Sequence, residues 1–297
     1  MNDNQESDFR QLADPQSATR YLPGSSIEVV GDFAVASPPQ HVLFDFDGTL
    51  SLIREGWPEI MIPLMVDVLQ ETGSGESAAE LREVVTSFVM ELTGKQTIYQ
   101  MMRLAEEVER RGGTPEDPLV YKKQYHDGLM RRIENRRSSL SSGKTPRDEM
   151  LVPGSITLLE LLRGRGVQLY LASGTDEVYV REEVSLLGLD EYFCQHVYGA
   201  VDDYKSFSKA QVIERILADN RVDGATLLGF GDGFVEIQNV REVGGLAVGV
   251  ASDEAGRSGQ PDPWKRQRLI AAGAHIVIPD FAEADRLVAW LFGEQQE

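Results

Sequence analysis

The ten residues from His41 to Leu50, His-Val-Leu-Phe-Asp-Phe-Asp-Gly-Thr-Leu, constrain this chain more than any other stretch. Their first half is a run of apolar, strand-favouring residues, and it reads as a short buried strand stopped by Gly48. Two carboxylates, Asp45 and Asp47, arrive where that strand ends, and strand alternation turns both to the same side. An open α/β sheet carries its ligand site at the carboxyl end of such a strand. Two converging carboxylates repel, so the arrangement requires a cation, a proton or a substrate charge to compensate it.

The remainder of the chain divides by pattern. Residues 51 to 146 contain almost no strand signal. Apolar positions recur at helical spacing over Ile60 to Leu69, Ala78 to Leu92, Ile98 to Val108 and Val120 to Ile133, which predicts an insert of four or five helices. From Leu151 onward helix and strand patterns alternate. Strands are predicted at Val167 to Ala172, Tyr192 to Tyr198, Ala225 to Phe230, Leu246 to Val250 and His275 to Pro279, with a closing helix over Phe281 to Phe292. The fold class that follows is α/β, a Rossmann-like parallel sheet with helices on both faces plus a helical insert. Polar residues dominate up to Ser17, so about the first 15 residues are expected to be mobile. Ile27 to Val30 reads as an extra edge strand or an ordered lead-in.

Composition removes several function classes. The 297 residues suit one large α/β domain with an insert, and 41% apolar residues supply a sizeable core. A net charge of −19 argues against nucleic acid as a partner, because phosphate backbones select basic surfaces. Cys194 is the single cysteine, so an internal disulfide is excluded, and one Cys with 4 His cannot build a thiolate metal cluster. The four histidines are scattered and read as structural. No apolar run approaches the roughly 18 residues that a membrane span requires. Residues 1 to 20 are too polar for a secretory signal, so a cytoplasmic location is expected. The stretch from Tyr121 to Arg147 carries eight cations against two carboxylates, and the favoured reading is a solvated helix face.

Asp45-Phe46-Asp47-Gly48-Thr49-Leu50 resembles the first motif of the haloacid dehalogenase superfamily of aspartate-nucleophile phosphohydrolases. Partner motifs follow in order at strand ends. Ser173-Gly174-Thr175 is similar to the second motif, a hydroxyl donor for a phosphate oxygen. The third is a single lysine. Lys209, in a Ser-Lys-Ala setting 22 positions before Gly231, is preferred over Lys205, because Ser206 stands where the Lys205-type register has proline. Gly231-Asp232-Gly233-Phe234-Val235-Glu236 resembles the fourth motif, with acids four apart and Glu236 in place of an aspartate. The resemblance spans about residues 41 to 280. It implies an N-terminal extension over 1–40, a core formed by 41–52 and 148–297, and a helical cap over 53–147.

The resemblance also implies roles. Asp45 is the nucleophile, Asp47 the general acid–base, and Ser173 and Lys209 stabilise the transferred phosphoryl group. Thr49, Gly174, Arg54 and Lys95 are expected to contact phosphate or substrate. For Lys95, in the turn Thr93-Gly94-Lys95-Gln96-Thr97, a simple capping turn is an equal alternative. Asp45, Asp47, Asp232 and Glu236 are the expected metal set, with Glu236 acting directly, through water, or by orienting the lysine. Hard oxygen donors point to Mg²⁺. The expected activity is hydrolysis of a small phosphorylated metabolite; a phosphosugar mutase with the same nucleophile is the enzymatic alternative, and a catalytically silent module the remaining one.

Overall fold

The computed structural model describes residues 7–294. Short strands β1 (Thr19–Tyr21), β2 (Glu28–Val30) and β3 (His41–Phe44) open the chain. Helices α1 (Pro58–Gln70), α2 (Ala78–Glu91), α3 (Thr97–Arg110) and α4 (Pro118–Ser141) follow without an intervening strand. The chain then alternates through α5 (Ser155–Gly164), β4 (Gln168–Asp176), α6 (Glu177–Leu186), the single turn α7 (Asp190–Phe193) and β5 (Val197–Ala200). It continues with α8 (Lys209–Asn220), β6 (Leu227–Gly231), α9 (Phe234–Glu242), β7 (Leu246–Val250), α10 (Pro263–Ala271), β8 (Ile276–Ile278) and α11 (Ala284–Leu291).

All eight strands form one sheet, ordered β1-β2-β8-β7-β6-β3-β4-β5. The six strands from β8 to β5 are parallel, and β1 and β2 are antiparallel additions. Burial on both faces explains the continuous apolar runs in the central strands. Within β3, Val42 and Phe44 enter one apolar layer and Leu43 the opposite one. Strand β3 pairs with β4 on one side and β6 on the other, so the strand order reverses there. At such a switch point the outgoing loops diverge and leave a crevice beyond the carboxyl ends. Asp45 and Asp47 stand at that crevice.

Several expectations change. The segment at 27–30 is not an edge: β2 lies between β1 and β8. The strand expected over Tyr192 to Tyr198 resolves into α7, a left-handed Cys194 (φ 50°) and the later strand β5. Strand β4 does not stop at Ala172 but runs to Asp176 through a register shift. The early chain expected to be mobile is tied down from Phe9 onward. Leu12 and Ala13 donate backbone hydrogen bonds to the Ala271 carbonyl (2.8 and 3.2 Å), and Phe9 packs edge-on against Phe234. Residues 1–6 lie outside the described range.

The helical insert joins the sheet at a buried hinge. Arg54 reaches α6, placing Nη2 2.8 Å and Nε 3.0 Å from the Glu183 carboxylate. Glu183 is fully enclosed. Removing one member of a buried pair leaves the other charge unsolvated. Glu183→Ala is therefore expected to cost about 3–5 kcal/mol, measured by chemical denaturation.

The four histidines all lie in ring contacts: His41 and His196 beside Tyr170, His126 on Tyr179, and His275 against Phe33. Burial, with Arg241 adding to it, lowers the His275 imidazole to about 4. The native state then resists a proton that the unfolded chain accepts near the ordinary histidine value, so this contribution is lost as pH falls from about 6.5 to 4. The melting temperature of His275→Gln should fall less steeply than wild type across that window.

Candidate active site

Asp45 continues β3 by donating its backbone N–H to the Phe230 carbonyl of β6 (2.9 Å). Its side chain is buried. Lys209, the first residue of α8, is brought to it by the Ser208 cap, whose hydroxyl accepts from the Gln211 N–H. Lys209 Nζ lies 2.8 Å from Asp45 Oδ1 and also contacts Glu236 Oε1. Burial pushes the Asp45 carboxyl up to about 7; the Lys209 charge opposes this, while Asp232 and Asp47 add to it. Lys205 has no such partner among the described residues; it is exposed and lies over the ring of Tyr204.

Asp47 faces a different set of groups. The Thr175 hydroxyl donates to Asp47 Oδ2 at 2.8 Å, the Ser173 hydroxyl lies at 3.5 Å, and Arg54 Nε approaches Oδ1 at 3.7 Å. Burial raises the Asp47 carboxyl to about 6, against the pull of Arg54. Asp47 can thus exchange a proton near neutrality, which suits general acid–base work. Gly48 is left-handed (φ 75°), and a Cβ there would stand 2.3 Å from Asp232 Oδ2. Only glycine allows this approach. Asp232 is fixed further by Thr49, whose hydroxyl accepts the Asp232 N–H at 3.0 Å.

The turn between α2 and α3 is seated on the core. Gly94 (φ 99°) touches Gly233, so that a Cβ on Gly233 would lie 2.8 Å from Gly94 Cα. Gly174 sits under the Lys95 carbonyl in the same way. Gln96 Nε2 donates to the Phe207 carbonyl at 2.8 Å, which joins the turn to the segment leading into α8. Below the turn lies a cavity of about 100 Å³, lined among others by Asp45, Asp47, Arg54, Lys95, Tyr125 and Ser173. A larger hollow of about 800 Å³ between residues 20–38 and α11 contains none of the expected site residues.

The structure gathers Asp45, Asp47, Ser173, Gly174, Lys209, Asp232, Arg54 and Lys95 around one cavity. Two expected residues stand elsewhere. Thr49 is fully buried and holds the Asp232 backbone, so it does not face a substrate phosphate. Glu236 contacts Lys209, the lysine-orienting arrangement among those expected of it. Lys95 lines the cavity, but its ammonium meets Asp8 at 2.7 Å. In the basic stretch, Lys122, Lys123, Arg132, Arg136, Arg137 and Arg147 pair with carboxylates, consistent with a structural face.

Sequence reasoning passed over Thr175, Glu183, Tyr125, Glu254 and Lys265. Thr175 and Glu254 were detectable, since they lie three and four residues past the carboxyl ends of predicted strands. Glu183, Tyr125 and Lys265 lie inside helices and carry no local signal.

Asp45 and Asp232 offer hard carboxylate oxygens at one cavity, a donor type that suits a divalent cation, although among the described residues no three acidic, histidine or cysteine side chains stand close enough together to hold one as they lie; Asp47 Oδ1 is buried without a hydrogen bond. Burial is the first cause of the upward shifts of Asp45 and Asp47, and positive charge held beside them would oppose it.

Solved structures share this fold. A predicted phosphoglycolate phosphatase from Haemophilus somnus superposes with a TM-score of 0.54 at 14% identity, covering 85% of this chain and 99% of that one. A β-phosphoglucomutase from Clostridium difficile gives 0.54 at 13% identity, with 86% and 98% covered. A family hydrolase from Deinococcus radiodurans, with bound phosphate and sodium, gives 0.51 at 18% identity, with 86% and 97% covered. Comparison with curated protein sequences returns no match. A family model described as haloacid dehalogenase-like hydrolase matches residues 39–244, and the chain belongs to that hydrolase family.

Proposed function

We propose that the protein is a metal-dependent phosphomonoester hydrolase acting on a small phosphorylated metabolite, with Asp45 as nucleophile and Asp47 as general acid–base. The observation that carries this reading is the buried Asp45 carboxylate, pinned through one oxygen by Lys209 at 2.8 Å and lining the same cavity as Asp47. Pinning one oxygen orients the other for in-line attack, which removes much of the entropic cost of the encounter.

In the first step an Asp45 oxygen forms a bond to phosphorus and the ester P–O bond breaks. Asp47 gives its proton to the departing alkoxide. In the second step Asp47 takes a proton from water, the water oxygen attacks phosphorus, and the acyl-phosphate bond breaks to return Asp45 and release phosphate. Thr175 and Arg54 keep Asp47 turned toward the leaving-group side. Lys209, with Ser173 as hydroxyl donor, offsets charge on the transferred group. A divalent cation, Mg²⁺ by donor hardness, would be held by Asp45, Asp232 and the Asp47 backbone carbonyl and would supply further positive charge there. Residues 53–147 act as the lid over the aspartyl phosphate, excluding bulk water.

Phosphate release from a panel of small phosphomonoesters with Mg²⁺ tests the reading. Wild type should show a clear favourite. Asp45→Asn and Asp47→Asn should each lose about a hundred- to ten-thousand-fold in kcat while circular dichroism shows the fold retained. Formation of an aspartyl phosphate without phosphate release would move the assignment to the mutase. Gly233→Ala pushes against Gly94 and lifts the lid turn, so kcat/KM should fall on the order of a hundredfold while the fold persists.

A further inference from the structure

The residues after β7 bring a second charged group into the site. Ser252 donates its hydroxyl to the Gly48 carbonyl at 2.6 Å, anchoring this loop to the turn that carries Asp47. Lys265 enters from the first turn of α10, which Asp262 caps by accepting the Lys265 N–H at 2.8 Å. Lys265 Nζ lies 2.8 Å from Asp232 Oδ2, 2.7 Å from Glu254 Oε1 and 3.0 Å from Ser252 Oγ. All three side chains are largely enclosed, with exposures of 11% for Lys265, 10% for Asp232 and 19% for Glu254. The ammonium thus stands between the carboxylates of Asp232 and Glu254. Glu254 also lines the cavity with Asp45 and Asp47.

Asp232 Oδ2 is thus bonded to an ammonium in the same place where a divalent cation would need that carboxylate. Two positive charges on one carboxylate repel strongly in an enclosed setting. Glu254 offers the ammonium a second carboxylate. We propose that Lys265 is an internal counter-ion that competes with the divalent cation for Asp232, and that Glu254 retains the ammonium once the cation claims Asp232. The proposal rests on the metal-dependent reading above. In the cation-free protein the ammonium keeps Asp232 folded against Gly48. Binding of the cation then shifts Lys265 toward Glu254 and Ser252 and leaves Asp232 free to ligate. Lys265 is a positioning residue under this assignment, since it acts through Asp232.

The test measures Mn²⁺ binding to the substrate-free full-length protein by the electron paramagnetic resonance signal of free Mn²⁺. Lys265→Met should bind Mn²⁺ roughly tenfold more tightly than wild type. Lys265→Gln, which retains a donor for Glu254, should tighten binding in the same direction and covers a methionine variant that does not fold. Glu254→Gln should weaken binding, because the ammonium then has Asp232 as its remaining carboxylate. In the Lys265→Met background, Glu254→Gln should have no effect; weakening there makes Glu254 a direct ligand and overturns its role as acceptor. Equal or weaker binding in the Lys265 variants overturns the competition while leaving the metal reading intact. Wild type that binds Mn²⁺ no better than Asp232→Asn overturns the metal reading and the competition with it.

Discussion

The repulsion among Asp45, Asp47, Asp232 and Glu236, gathered where β3 and β6 end and largely removed from water, is the interaction that the surrounding structure must offset. Three cations from separate elements meet the four acids: Asp45 and Glu236 share Lys209 of α8, Asp47 meets Arg54 of the segment after β3, and Asp232 meets Lys265 of α10. Buried ion pairs contribute little to net stability, because desolvation consumes most of the attraction. Such a cluster costs folding free energy, and the apolar layers on both faces of the sheet offset it.

The topology makes that cluster possible. With β4 on one side of β3 and β6 on the other, the loops after the central strands part and leave room for side chains at one end of a buried sheet. Helices α8, α9 and α10 each begin near that end, so Lys209, Glu236 and Lys265 all project from first turns toward the same crevice. The helical insert is held as closely as the cluster: the turn between α2 and α3 rests on glycine backbone at Gly233 and Gly174, and Arg54 is clamped by Glu183.

Much of this was legible beforehand. The insert helices, the central strands and the acids at their ends follow from period and punctuation alone, since apolar spacing and Gly breaks are local signals. Misreadings occurred where tertiary context overrode local pattern. Ile27 to Val30 looks like an edge but is covered because β1 adds outside it, and the 192–198 run yields a helical turn because Cys194 reverses the chain. Thr49, expected at the phosphate, is drawn inward to hold the Asp232 backbone.

The sequence by itself determined that two acids end a buried strand, that a hydroxyl turn, a lysine and an acidic turn follow at later strand ends, and that helices intervene after the first. Those facts depend on neighbours within a few residues, where strand and helix geometry dictate direction. Only the tertiary structure decided which charges meet: Glu183 for Arg54, Lys265 for Asp232, and Lys209 for both Asp45 and Glu236. Asp45 and Lys209 are 164 residues apart, and Arg54 and Glu183 are 129 apart. Sheet order and helix packing set such distances, and a charged residue on a helix reads identically in sequence whether it ends in solvent or against a buried carboxylate.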